Sequence, residues 1–245
     1  MNQVCVIPLV KHRSLISATL LCYVWGMQEP GFQRARSTAA KHLREAAILE
    51  AARKLGAERG IRQVTLTEIA AAVGMHKSAL LRYFETREEI FLRLTAEGWR
   101  EWSGALRTEL GTLDDPAPGA IAAVFARTLA TRGDFCDLLA QAPLNLERNV
   151  SIEAVRSFKL VTHAEVDAIA DVICGLQPTL SRADAIDVIA ATTSMSGAFW
   201  QMATPGPEIA ALYRSDPRLS HAVMDVEARV RRLTAAILRG LLAGA

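Results

Sequence analysis

Between Ala71 and Phe84 the chain reads AAVGMHKSALLRYF. The chemistry on offer here is that of cations and a hydroxyl: Lys77 and Arg82 follow a glycine that interrupts an alanine-rich helical pattern, and they precede the aromatic pair Tyr83 and Phe84. Such groups attract phosphate oxygens, and a short helix carrying them suits either a solvated surface or the major groove of DNA. Catalytic chemistry has no comparable signature. No nucleophile elbow, glycine-rich phosphate loop, zinc-binding triplet or paired carboxylate at helical spacing is present, so no catalytic residue, metal or cofactor is expected. Cys5, Cys22, Cys136 and Cys174 lie too far apart for a paired motif and read as ordinary thiols of a reducing cytoplasm.

The elements that must position these groups are helical. Alanine and leucine dominate a chain of 245 residues that is 51% hydrophobic and 22% charged, with few β-branched clusters, which points to an all-α globular protein. From Thr38 onward Leu43, Ala46, Ala47, Ile48, Ala51, Ala52 and Leu55 recur at helical spacing, and Gly60 ends the run. Thr65-Leu-Thr-Glu68 is a capping box that opens a short helix closed by Gly74. The chain restarts at His76 or Lys77, runs to Phe84, and meets a second box at Thr86-Arg-Glu-Glu89. Two helices of about two turns each, joined by a tight glycine turn, form a helix-turn-helix, whose second helix can lie in a major groove. Charge agrees in direction: residues 27–95 hold 12 Lys/Arg against 8 Asp/Glu, whereas the remainder holds 16 against 18.

The stretch Ile48 to Leu94, within AAILEAARKLGAERGIRQVTLTEIAAAVGMHKSALLRYFETREEIFLRL, resembles the TetR family of bacterial transcriptional regulators. The likeness is carried by the long first helix, the Thr-x-x-x-Ile-Ala run, Val-Gly, the lysine after the turn, Leu80, the Tyr83-Phe84 pair and Arg87. It implies an N-terminal three-helix DNA-binding domain followed by a larger helical domain that binds an effector and dimerises. Over the matching positions it assigns Thr65 to capping and phosphate contact and Thr67 to a base or backbone contact. His76, Lys77, Ser78, Ala79, Leu81 and Arg82 become the exposed positions of the reading helix, and Tyr83 and Arg87 become phosphate ligands. The sequence departs from the family pattern at His76, where a serine or threonine cap is usual, at Ala79, where a hydroxyl is common, and at Leu81, where tyrosine is frequent. The first change is expected to weaken the cap; Ala79 and Leu81 remain able to touch thymine methyl groups.

Beyond Arg87 the pattern runs through Ile90, Phe91, Leu94, Trp99, Trp102, Leu106 and Leu110 and breaks at Asp114-Asp-Pro-Ala-Pro118. Further helices are expected at about 116–131, 134–142, 151–176, 182–203, 207–213 and 217–242. The resemblance directs attention to an apolar effector pocket, with Trp102, Phe125, Phe135, Leu139, Phe158, His163, Met195 and Phe199 as candidate linings. It also points to a homodimer interface, for which Ile186, Ile189, Ala190, Thr193, Gly197 and Trp200 form one stripe and Val226, Val230, Leu233 and Ile237 another. Periodicity alone leaves open whether these stripes face a second copy or the chain's own core.

The expected organisation is an extension over 1–36, a DNA-binding domain over 37–86 and an effector-binding and dimerisation domain over 87–245. The extension carries Lys11, His12 and Arg13 ahead of an apolar run, Ser14 to Gly26, which is short for a membrane span, and Met27 reads as the working start. The expected protein is a cytoplasmic, ligand-released repressor whose partners are operator DNA, a small-molecule effector and a second copy of itself. Two other readings are a regulator anchored to the membrane by the N-terminal run and an enzyme with an incidental helix-turn-helix.

Overall fold

The computed structural model describes residues 30–222 and 224–244. Residues 1–29, with most of the expected extension and its apolar run, lie outside them. The chain divides into two compact units, Met1–Arg44 and Glu45–Ala245. Of the first, the described part is helical; the architecture below concerns the second.

Ten α-helices occur among the described residues: α1 (Pro30–Arg59), α2 (Leu66–Ala72), α3 (Lys77–Leu80), α4 (Arg87–Leu110), α5 (Pro118–Ala130), α6 (Gly133–Gln141), α7 (Ile152–Leu176), α8 (Arg182–Ala203), α9 (Pro207–Ser215) and α10 (Val226–Ala243). No strand occurs among the described residues. Outside the helix-turn-helix, two boundaries differ from the sequence-based expectation by more than two residues. The first helix begins at Pro30 rather than Thr38, proline being suited to the first helical position. The segment expected as one helix from Pro217 is a short 3-10 stretch, Pro217–Ala222, and a separate α10, because the Asp225 carboxylate accepts from the Ala228 amide at 3.0 Å and starts a new helix.

The core is a stack of long helices. α4 packs along α7 and against α5 and α6; α8 packs on α6, α7 and α10; and α10 lies along α5. At its centre Trp102 is fully buried, donates its indole N–H to Thr128 Oγ1 at 3.1 Å, and makes edge contacts with Trp99 and Phe125, with ring centroids 5.4 and 6.0 Å away. Phe135 closes the cluster against both tryptophans. Glycines let the helices approach. A Cβ on Gly98 would lie 2.4 Å from the Phe135 ring, one on Gly133 2.1 Å from the Trp200 ring, and one on Gly197 3.0 Å from the Ala140 backbone nitrogen. α6 is thereby keyed into α4 on one side and α8 on the other. Among the described residues no helix is long and apolar enough to cross a membrane.

Candidate nucleic-acid interface

The head of the second unit is built from local rules. Thr65 Oγ1 accepts from the Glu68 amide at 3.3 Å, while the Glu68 carboxylate accepts from the Thr65 amide at 2.8 Å, so the capping box is reciprocal. These bonds to Thr65, with Arg59 at 2.8 Å, hold the Glu68 carboxyl down at about 2. α2 ends with Gly74 at φ +65°. Met75 N–H reaches back to Ala70 O at 2.8 Å and Gly74 N–H to Ala71 O at 3.0 Å, a Schellman closure that turns the chain abruptly. α3 then starts at once, with Leu80 and Phe84 buried beneath it.

His76 corrects the expectation of a weakened cap. Its Nδ1 accepts from the Ser78 amide at 3.3 Å and lies 2.9 Å from Ser78 Oγ, so an imidazole nitrogen stands in for the usual hydroxyl oxygen. Accepting from an amide requires Nδ1 to be unprotonated, which leaves the ring N–H on Nε2. The restarted helix is also shorter than expected. Regular α geometry ends at Leu80, and Arg82 and Tyr83 amides bond three residues back in a tighter turn that reaches Phe84. The second box is half formed: Thr86 Oγ1 accepts from the Glu89 amide at 3.1 Å, but the Glu89 carboxylate accepts from Glu85 N–H instead of Thr86 N–H. Desolvation there raises the Glu89 carboxyl above its usual range.

Thr65, Thr67, His76, Lys77, Ser78, Leu81 and Arg82 are exposed, and Ala79 and Tyr83 are half-buried. Lys77 and Arg82 make no ion pair among the described residues, and the Tyr83 hydroxyl makes no hydrogen bond there, so these polar tips are available to an external acceptor. An open groove of about 570 Å³ runs between the start of α2 and α3, bordered by Arg62, Thr65, Lys77, Leu81 and Thr86. Arg62, exposed in the 3-10 turn Ile61–Gln63, was not singled out from the sequence. The available signal was a basic residue three positions before a helix cap.

Arg87 occupies a different position from the one expected of a phosphate ligand. Its guanidinium donates to Val64 O and Ile61 O, pairs with Glu88 at 2.9 Å, lies 4.9 Å from the Phe91 ring centroid, and is only 19% exposed. It fastens the segment leading into α2 to the start of α4.

The expected pocket residues do not converge on one space. Trp102 and Phe125 are closed within the aromatic cluster. Phe135 lines a cavity of about 180 Å³ between α1, α4 and α6, with Gly56, Ile61, Phe91, Gly98 and Arg132. Phe158 lines another, of about 330 Å³, between α4 and α7, with Leu92, Arg93, Arg100 and Val161. Leu139 and Met195 are half-buried, and Phe199 lies under Arg229, 5.8 Å from ring centroid to guanidinium. His163 departs from a pocket role altogether: it is 78% exposed and its Nδ1 lies 2.8 Å from Asp167, one turn along α7.

The expected dimer stripes need a similar correction. Ile189, Thr193, Gly197 and Val230 are buried within the single chain, Gly197 against the Ala140 backbone of α6, and so have no surface to offer a partner. Ile186, Trp200 and Ile237 are partly buried against the same core, and Val226 and Leu233 are half-buried. Of the expected set Ala190 is exposed, and it shares that exposed face of α8 with Ser194, Ala198 and Met202.

Comparison with known proteins accords with this geometry. No curated protein is similar to the chain in sequence. Among solved structures, PfmR from Thermus thermophilus, a TetR-family transcriptional regulator, superposes with a TM-score of 0.50 at 21% identity, covering 79% of this chain and 98% of its own. The T. thermophilus FadR repressor in complex with lauroyl-CoA gives 0.50 at 20% identity over 74% of this chain and 95% of its own. The fatty acid degradation regulator FadR of Bacillus halodurans gives 0.50 at 17% over 79% and 94%. At these identities the likeness shows a shared fold. Residues 48–94 match the bacterial regulatory proteins of the tetR family, and residues 96–245 match the tetracyclin repressor-like C-terminal domain. With one match lying over the helix-turn-helix and the other over most of the remaining chain, this protein belongs to the TetR family of bacterial transcriptional regulators.

Proposed function

We propose that the protein is a homodimeric, ligand-released repressor of the cytoplasm, which reads operator DNA with α3 and its flanks. The observation that carries this reading is the row of unpartnered polar tips, Lys77 on α3 and Arg82 and Tyr83 on the tight turn that follows it, after the chain is redirected at Gly74. Lys77, Arg82 and Arg62 supply salt-dependent attraction to phosphates, Thr65, Thr67 and Tyr83 fix register, and His76, Ser78, Ala79 and Leu81 meet base edges. Arg87 acts from behind by holding the approach to α2. The exposed small-residue faces of α8 and α10, Ala190, Ser194 and Ala198 on one and Ala236 and Gly240 on the other, suit close helix packing against a second copy. Such a dimer places two heads about 34 Å apart on successive major grooves.

Release needs only that an effector bind more tightly at one head separation than at another, a coupling of about 1–3 kcal/mol. Either cavity touching α4 is suited to that role. Lauroyl-CoA, held by the T. thermophilus relative, is the first effector to try. The experiment is a mobility-shift assay on the DNA upstream of the protein's own gene. Lys77→Ala and Tyr83→Ala are each expected to weaken binding about tenfold, with Lys77→Ala also flattening its salt dependence. Unchanged binding in both variants would end the assignment of α3 as the reading element.

A further inference from the structure

Asp137, on α6, holds two elements at once. Its Oδ2 accepts from the Ile61 backbone N–H at 3.0 Å, and its Oδ1 accepts from Gln201 Nε2 on α8 at 2.7 Å. Ile61 is a buried residue of the 3-10 turn that connects α1 to the capping box at Thr65. The carbonyls of Ile61 and of Val64, just past that turn, are taken by Arg87. The approach to the helix-turn-helix is thus fixed at three backbone atoms, two by a side chain of α4 and one by a side chain of α6. The α6 contact is the one that continues into α8, which already lies close against α6: Gly197 of α8 meets the Ala140 backbone, and Gly133 of α6 takes the Trp200 ring. Beside the bridge lies the cavity of about 180 Å³ bordered by Ile61, Arg132 and Phe135, so the turn meets α6 along an incompletely filled seam. Along such a seam a directed hydrogen bond, rather than packing, fixes the angle.

We infer that Asp137 is a positioning residue for DNA recognition: its carboxylate sets the pitch of the reading head against α6 and α8, and with it the half-site spacing the dimer accepts, without touching DNA. The inference rests on the dimeric DNA-binding reading above. A bond from a backbone amide to a carboxylate is charge-assisted and directional, and Ile61 N–H has no other acceptor if it is removed. Removal therefore loosens the pitch instead of creating a new one. Generic destabilisation lowers affinity for all duplexes alike, whereas a loosened pitch lowers discrimination between spacings.

The probes are duplexes enriched by the wild-type protein from a random-sequence pool, resynthesised with their half-sites moved by one base pair in either direction. The wild-type protein is expected to prefer its own spacing about tenfold or more, in line with the usual cost of a misplaced base pair. Asp137→Ala should reduce that preference to about threefold or less. Asp137→Asn, which keeps an acceptor for Ile61 N–H and lets the Gln201 amide turn over, should restore it. Gln201→Ala should broaden spacing too, and adding it to Asp137→Ala should change nothing further, because both act on one path; it also serves where the alanine variant fails to fold. An unaltered spacing profile in Asp137→Ala, or an asparagine variant as impaired as the alanine one, overturns the inference. Hydrogen exchange at the Ile61 amide gives a readout without DNA. It should be at least about tenfold slower in wild type than in Asp137→Ala, and equal rates overturn the inference whatever the DNA results. A wild-type protein that enriches no duplex overturns the DNA-binding reading instead.

Discussion

The α2–α3 finger and the interior formed by α4, α6 and α8 hold their shapes by different means. In the finger, one reciprocal capping box at Thr65 and Glu68, one left-handed glycine and one imidazole cap define the path, and few side chains, among them Ile69, Ala70, Leu80 and Phe84, reach inward. In the interior, aromatic rings occupy notches left by glycines on neighbouring helices. The finger is specified by bonds between residues at most five positions apart, the interior by fits between residues 37 to 67 positions apart, such as Gly98 with Phe135 and Gly133 with Trp200. Local bonds let a small element keep its polar tips pointing outward. Interlocked surfaces make helices move together or not at all.

Substitution at a notch should cost most. Gly98→Ala places a methyl 2.4 Å from the buried Phe135 ring, and despite alanine's better helix propensity it should destabilise the protein by about 2 kcal/mol, seen as a fall in melting temperature of roughly 4–8 °C. A neutral result would break the comparison, since the notch would then be ordinary free space. Gly74→Ala should cost less, about 1 kcal/mol, because a Cβ there meets nothing within 4 Å and the penalty is purely that of φ +65°. Its effect should fall on DNA affinity and on protection of α2 more than on global melting. The smallest effect sharpens the same contrast through pH. The Glu68 carboxyl titrates at about 2 in the folded protein against an ordinary value near 4.5, so its ionised form stabilises the fold. That contribution is complete above about pH 4.5 and disappears as pH falls toward 2. NMR shifts of the α2 amides should report the loss, and Glu68→Gln should abolish that dependence.

The same contrast explains what the sequence disclosed. Thr65, Gly60 and Gly74 were legible because each acts on its neighbours, and the two glycines carry the positive φ values found among the described residues. Arg87 was not, because its acceptors at Val64 and Ile61 lie 23 and 26 residues upstream, and a cation beside a helix start looks the same whether it meets a phosphate or a carbonyl. His76 misled for a subtler reason: residue type predicts a poor cap, while the position of Nδ1 mimics the oxygen it replaces. The stripe through Ile189, Thr193 and Gly197 had the right period and the wrong addressee, since Gly197 is small to admit the α6 backbone. The pocket residues scattered because large apolar side chains fill a core as readily as they line a void, and Trp102, Phe125 and Phe135 pack ring against ring.

Each of the three tryptophans among the described residues touches α6: Trp99 and Trp102 through the Phe135 ring and Trp200 through Gly133. Indole emission depends on the polarity and closeness of what surrounds the ring, so the protein carries its own optical gauge on that helix. Compounds could be screened against unlabelled protein by watching the ultraviolet fluorescence change colour and intensity as α6 is displaced.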